Sequence, residues 1–261
     1  SGDYNHTKIR EETLFVYAQP GAKPEGLDNV LLYFLQVTTQ PPRLAGSVLL
    51  IHEAMDPTRD ARRVWQFNPG QRRLRRAPNV GYDNPGTGAD GLRTDDQGDI
   101  FNGPMDRYQW KLLGKREMIV PANSYRLHSD ALTYVDILRK NHIDPDLTRY
   151  ELRRVWVVEA NLRPATTHPY RRRRFYVDED GWQIRVVDIY DAGDQLWRMQ
   201  EAHSVVAYDQ PYELPACETV YDLQSKRYLA QALNNEDPET VTVLREVEYF
   251  EPGQVSKFAG K

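Results

Sequence analysis

One stretch, Tyr150–Tyr208, limits the possible folds more than any other part of the chain. It reads as four long strands joined by tight turns. In Tyr150–Leu162 (YELRRVWVVEANL) the even positions Tyr150, Leu152, Trp156, Val158, Ala160 and Leu162 are mostly apolar. The odd positions hold Glu151, Arg153, Glu159 and Asn161, with Val155 and Val157 between them. Period-two alternation marks a strand with one buried face. Tyr170–Asp178, Trp182–Asp191 and Gln195–Tyr208 continue the pattern. The breaks between these last strands, Asp178-Glu179-Asp180-Gly181 and Ala192-Gly193-Asp194, carry the Asp and Gly that hairpin turns favour. Consecutive hairpins make an antiparallel meander. Strands of ten residues span about 33 Å, beyond the usual five or six residues. A sheet that wide must curl, or be covered on one face, to bury its apolar side. The predicted object is a large curved antiparallel sheet that encloses something.

The flanking segments extend this mainly β (α+β) reading. Strands are predicted over Ile9–Tyr17, Val30–Thr39, Gly46–Glu53, Met105–Val120, Thr219–Leu223, Arg227–Leu233 and Val241–Phe250. A basic hairpin, Arg62–Phe67 and Arg72–Ala77, turns at Asn68-Pro69-Gly70-Gln71. Ser129–Lys140 is predicted as a short helix capped by Ser129, and Pro252 as the opening of a terminal helix. Pro78–Pro104 and Gln210–Glu218 are predicted loops, the first long for a compact domain. A chain of 261 residues accommodates one large β domain or two small ones. Its 16 Tyr, 5 Trp and 7 Phe argue against disorder. A net charge of −4 does not suggest a nucleic-acid binder. No window approaches the ~18 apolar residues of a membrane span. The lone Cys217 excludes an intrachain disulfide and a Cys-based zinc site, and reads as a partly buried thiol. The chain opens on Ser1-Gly2, which looks like the remnant of a tag, so the lack of a signal peptide says little about the native precursor.

Chemical motifs are sparse. Gly86-Thr87-Gly88-Ala89-Asp90-Gly91 spells G-x-G-x-x-G, but no strand precedes it and no helix follows, so a dinucleotide cofactor is not expected. Asp95-Asp96-Gln97-Gly98-Asp99 lacks the ordered oxygen spacing of a calcium loop and reads as a solvated acidic turn. Arg171–Arg174 lies on a strand, where alternate arginines point to opposite faces, so it is not one four-arginine patch. The solvated-strand reading leads, with an anion-facing surface shared with Arg72-Arg73 and Arg75-Arg76 as the minor one. The six histidines are scattered, and neither G-x-S-x-G nor a P-loop occurs. No catalytic residue, cofactor site or metal site is assigned. The clustered aromatics read mostly as core, and in an incompletely closed sheet they can also line an apolar cavity.

Five blocks together resemble a known family: ARRVWQFNPGQRRLRRAP (Ala61–Pro78), DIFNGPMDRYQWKLLGKREM (Asp99–Met118), RYELRRVWVVEANL (Arg149–Leu162), RRRFYVDEDGWQI (Arg172–Ile184) and YDLQSKRYLAQAL (Tyr221–Leu233). They are similar to the DUF1329 family of Gram-negative bacteria, whose members are often labelled outer-membrane lipoprotein-sorting-like. The resemblance implies a single domain over 1–261, the C-terminal part of a longer secreted precursor. It also implies a fold like that of the lipoprotein carrier LolA and its receptor LolB: an open antiparallel half-barrel with a few short helices on the concave side. Pro78–Pro104 would then be a lid at the cavity mouth. The family brings no established functional residue to transfer.

The expected function is therefore a periplasmic or outer-membrane-associated carrier that holds a lipid or lipoprotein acyl chain. Its expected lining is Tyr150, Leu152, Trp156, Val158, Trp182, Ile184, Val186, Trp197 and Met199, on the assumption that these alternating positions all point inward. Expected partners are the hydrophobic ligand and an envelope lipid exporter or outer-membrane protein. Two alternatives stand beside it. A non-catalytic interaction module would show a filled core and an exposed apolar patch. A hydrolase acting on a lipid or polymer would show clustered carboxylates or a His–Asp pair in the cavity.

Overall fold

A computed structural model describes residues 3–77, 81–208, 212–237 and 245–259. Among these, twelve strands form two open antiparallel sheets, of five and seven strands. The described residues divide into two compact units, each with its own sheet: 3–77 with 245–259, and 81–208 with 212–237.

The first unit is a meander of β1 (Lys8–Phe15), β2 (Val30–Gln40), β3 (Val48–Ala54), β4 (Arg63–Asn68) and β5 (Arg73–Arg76). Pairing of Leu35 with Leu50 and of Val37 with Val48 gathers aliphatic side chains on one face. That face needs a cover. It comes from the C-terminal segment, where two short 3-10 turns, Val247–Phe250 and Pro252–Lys257, set Phe250, Val255 and Phe258 against Leu14, Leu35, Val37, Val48 and Leu50. Pro252 opens the second turn, as its fixed φ favours. The strand expected over 241–250 is corrected at its end, since 247–250 is helical, while 241–244 lie outside the described residues. The turn directs Phe250 into the sheet and its carbonyl toward His52, whose Nε2 donates at 2.8 Å. Burial holds His52 below the ordinary imidazole pKa.

The second unit carries β6 (Tyr108–Pro121), β7 (Tyr150–Leu162), β8 (Arg172–Asp178), β9 (Ile184–Tyr190), β10 (Leu196–Ala207), β11 (Tyr212–Asp222) and β12 (Arg227–Gln231), in sequential order across the sheet. The four expected meander strands are β7 to β10. β11 corrects the loop expected over 210–218: residues 210 and 211 lie outside the described residues, and the rest pairs with β10. Pro215 reads as a strand breaker, but it sits beside a bulge opposite His203 and Ser204, one of the places where a sheet tolerates proline. The helix expected over 129–140 is a single turn, α1 (Tyr134–Ile137). Thr133 replaces Ser129 as its cap, with Asp136 accepting from the Thr133 amide at 2.8 Å and hydroxyl at 2.6 Å. Leu138 then pairs with Ile143 in an antiparallel bridge, which ends the helix.

Register assigns the two faces of this sheet. Val155, Val157, Tyr176, Val186 and Met199 cluster on one. Val158, Ala160, Phe175, Val187 and Ile189 cluster on the other. Residues 81–104 cover the second face through Ile100 and Phe101. The segment between β6 and β7 covers part of the first, where Leu127, Ile137, Ile143 and Leu147 pack with Cys217. Besides the bulge at Ala216 in β11, three more interrupt the alternation, at Leu113 in β6, Arg185 in β9 and Trp197 in β10. Gly114 follows the first with φ of 102°, a conformation that side chains rarely adopt.

Candidate functional site

The cover formed by residues 81–104 is fastened by buried charge. Arg173 points into the covered face and is 1% exposed. Its Nη2 donates to Asp96 Oδ2 at 2.5 Å, and His168 Nε2 lies 3.2 Å from the same oxygen. Thr94 Oγ1 donates to Asp96 Oδ1 at 2.5 Å. Burial pushes the Asp96 carboxyl up, but Arg173 and His168 outweigh it and hold it down at about 2. Gln97 bridges to Gln200 at 3.0 Å and accepts from the Tyr170 hydroxyl at 2.8 Å. Arg198 donates to the Leu92 and Gly91 carbonyls at 2.7 and 2.8 Å. A buried guanidinium is tolerable only with such partners.

Three expectations change accordingly. The segment expected as a lid is, over 81–104, a packed and ion-paired cover, while 78–80 lie outside the described residues. The acidic turn is not uniformly solvated, because Asp96 is buried against Arg173. The arginine run divides by face: Arg173 is internal, Arg172 and Arg174 bond Glu159 on the opposite face at 3.5 and 2.7 Å, and Arg171 is exposed. The G-x-G-x-x-G letters fall in a loop closed by a Pro85–Thr94 bridge, without the strand and helix a dinucleotide site requires.

The open part of the other face holds a cavity of about 330 Å³. Tyr150, Met199, Glu201, Tyr221, Leu223 and His142 are among its lining residues, and most of the lining surface is apolar. A neighbouring hollow of about 260 Å³ shares His142, Tyr150 and Tyr221 and adds Ile143, Pro145 and Thr148. The larger volume is near the lower end of the roughly 300–1,000 Å³ typical of small-ligand sites. Met199 pairs across the sheet with Tyr221, and Tyr221 stacks on Tyr228 at 5.7 Å between ring centroids. The Tyr150 hydroxyl donates to Glu201, 3.2 Å from each carboxylate oxygen. Burial first, and Glu201 second, raise the Tyr150 and Tyr221 phenols above their ordinary pKa. His203 Nε2 is 3.7 Å from Glu201, but its side chain is fully buried and does not line the cavity. Cys217 is buried completely, which pushes its thiol pKa up.

The nine expected lining residues do not share one surface. Tyr150 and Met199 line the cavity, and Val186 packs beside Met199 beneath the same face. Val158, Ile184 and Trp197 pack on the opposite face, under residues 81–104. Bulges account for the placement of Ile184 and Trp197, whereas β7 itself carries no bulge between Tyr150 and Val158. Tyr176 pairs with Val186 but Val177 pairs with Ile184, so the extra Arg185 puts Ile184 and Val186 on opposite faces despite their even spacing. Trp197 is itself the extra residue between Leu196 and Arg198, and its Nε1 donates to Asp222 at 2.9 Å. Trp156 is half-buried with the Lys115 ammonium 4.3 Å from its ring centre. Leu152 is 68% exposed, and Trp182 is 70% exposed on a turn. Leu152 pairs with Ile119, 66% exposed, which leaves an apolar pair on β6 and β7 in solvent. Glu201 and Tyr221 were missed. The available signal was Glu201-Ala202-His203, whose spacing of two on a strand sends both outer side chains to one face.

These features have counterparts in known proteins. The uncharacterized protein PA3922 of Pseudomonas aeruginosa is 48% identical over 237 residues, which are 91% of this chain and 52% of that protein. The chain thus spans about half the length of the curated relative it matches. A domain from Vibrio parahaemolyticus named for outer membrane lipoprotein sorting has the same fold, with a TM-score of 0.57 at 14% identity over 96% of this chain and 83% of that one. A DUF1329 family protein from Desulfovibrio piger gives a TM-score of 0.56 at 14% identity over 95% and 82% of the two chains. The sequence model of the family described as "Protein of unknown function (DUF1329)" matches residues 1–256, and the chain belongs to that family.

Proposed function

We propose that this protein is a non-catalytic periplasmic or outer-membrane-associated carrier that binds a lipid or lipoprotein acyl chain in the cavity beside Met199 and Tyr221. In this reading the chain acts as one carrier domain of a longer secreted protein. The observation that carries it is an apolar-lined cavity on the open part of a sheet whose other face is covered. The fold shared with a domain named for outer membrane lipoprotein sorting supports it. Each methylene withdrawn from water contributes about 0.8 kcal/mol, so six give roughly 5 kcal/mol before the cost of ordering the chain. Native mass spectrometry of the purified protein, followed by denaturing extraction and lipid analysis, tests it. A co-purified acyl species of defined mass is the expected result. A clean apo mass together with no binding of a fluorescent fatty acid at micromolar concentration overturns it.

The exposed Ile119–Leu152 pair, with Leu112 also exposed, favours a second reading. Here the β6–β7 surface docks an envelope transporter or outer-membrane partner. Replacing Ile119 and Leu152 with serine would then abolish partner capture while ligand binding persists.

A further inference from the structure

We propose that the cavity beside Met199 selects an amphiphile with a zwitterionic head, ammonium inward against Glu201 and phosphate outward at the rim; this rests on the carrier reading and specifies its ligand. Glu201 lines the cavity with a side chain only 10% exposed. Among the described residues, no lysine or arginine lies within ion-pair distance of it, and the one imidazole near it is 3.7 Å away. The Tyr150 hydroxyl supplies a single donor to the carboxylate. A buried carboxylate with so little compensation is costly unless a cation or a donor completes it. The walls suit a cation too, since Tyr150 and Tyr221 both line the space and aromatic faces attract ammonium groups.

The mouth has the opposite charge. Lys226 and Arg227 belong to the same lining and are exposed. Arg227 is paired with Asp90, which leaves Lys226 as the rim cation with no acid bound to it among the described residues. Asp222, also in the lining, is already engaged by Arg198 at 3.1 Å and Trp197 at 2.9 Å. The cavity is therefore acidic within, apolar and aromatic on its walls, and basic at its rim. A phosphoethanolamine or phosphocholine head on an alkyl chain matches that order. A fatty acid or alkyl sulfate places its anion against Glu201 or Lys226 and offers nothing to the other.

Calorimetry with four octyl amphiphiles below their micellar concentrations tests this: octylphosphocholine, octyltrimethylammonium, octyl sulfate and octanol. The expected order puts octylphosphocholine at least tenfold tighter than octyl sulfate, as befits one charge-assisted contact. Glu201→Gln is expected to remove that preference. Lys226→Ala is expected to weaken octylphosphocholine severalfold, and to leave octyltrimethylammonium as it was. Octyl sulfate equal to octylphosphocholine, or an order unaltered in Glu201→Gln, overturns the proposal while leaving the carrier reading intact. If no octyl compound binds, glycerophosphocholine alone decides the head-group site, since the carrier reading is decided separately by the native mass and the fatty-acid probe: saturable NMR shifts lost in Glu201→Gln support the site, and their absence overturns it.

Discussion

Asp96→Asn separates charge from shape at the centre of the second unit. The substitution leaves the side chain in place but strips Arg173 of its counter-ion at 2.5 Å. Arg173 keeps the Tyr108 hydroxyl at 3.2 Å and the His168 ring at 3.0 Å, neither of which carries a balancing negative charge. Breaking a buried pair from one side costs about 3–5 kcal/mol, because the remaining charge stays out of water. At roughly 2–4 °C per kcal/mol for a unit of this size, the thermal midpoint should fall by about 6–20 °C. Urea unfolding at pH 7, read by tryptophan fluorescence, measures the loss, with Trp197 and Trp110 packed in the same cluster as informative probes. Adding Arg173→Met should restore most of it, since an apolar side chain has no charge to solvate. Octanol binding at 20 °C should not change in either variant, because the cavity is on the other face. A loss below 1 kcal/mol for Asp96→Asn would show that the pair does not hold the cover, and would refute the account of residues 81–104.

Other outcomes follow from the same geometry. The Asp96 carboxyl has a folded pKa of about 2, below its unfolded value, so its contribution is complete above about pH 4 and is lost as pH falls toward 2; acid titration of stability should show that decline in the wild type and not in Asp96→Asn. Thr94→Ala removes the cap that bonds Asp96 and Gln97, and should cost about 0.5–2 kcal/mol in the same urea assay. Leu50→Ala, in the buried core of the first sheet, should cost about 2–5 kcal/mol, whereas a smaller loss would mean that the C-terminal cover collapses into the space. The Ile119→Ser, Leu152→Ser double variant should stay within about 0.5 kcal/mol per site of the wild type, because both side chains are already in solvent.

The strands were legible because their signal is local. Alternation along Tyr150–Leu162 gives β7 with the expected ends, and the turn residues after Asp178 and Ala192 delimit β8, β9 and β10. Five blocks of sequence were enough to indicate the family. The site was legible only in part. Tyr150 and Met199 line the cavity, whereas Ile184 and Trp197 pack on the covered face, because one extra residue in a strand reverses every later side chain. Nothing in β9 alone identifies Arg185 as that residue, since a bulge is defined by the partner strand.

The sequence by itself determined a mainly β chain of long antiparallel strands joined by turns. Those are properties of neighbouring residues, and alternation and turn chemistry record them directly. Only the tertiary structure decided that the strands form two sheets, that residues 81–104 are a fastened cover, and that Glu201 and Tyr221 line a cavity with Tyr150 and Met199. Each depends on partners far apart in the chain, as with Asp96 and Arg173, 77 residues apart, or Tyr150 and Glu201, 51 apart. The cost of burying a charge or the value of an apolar wall is set by what lies across the contact, and a single strand read alone does not contain it.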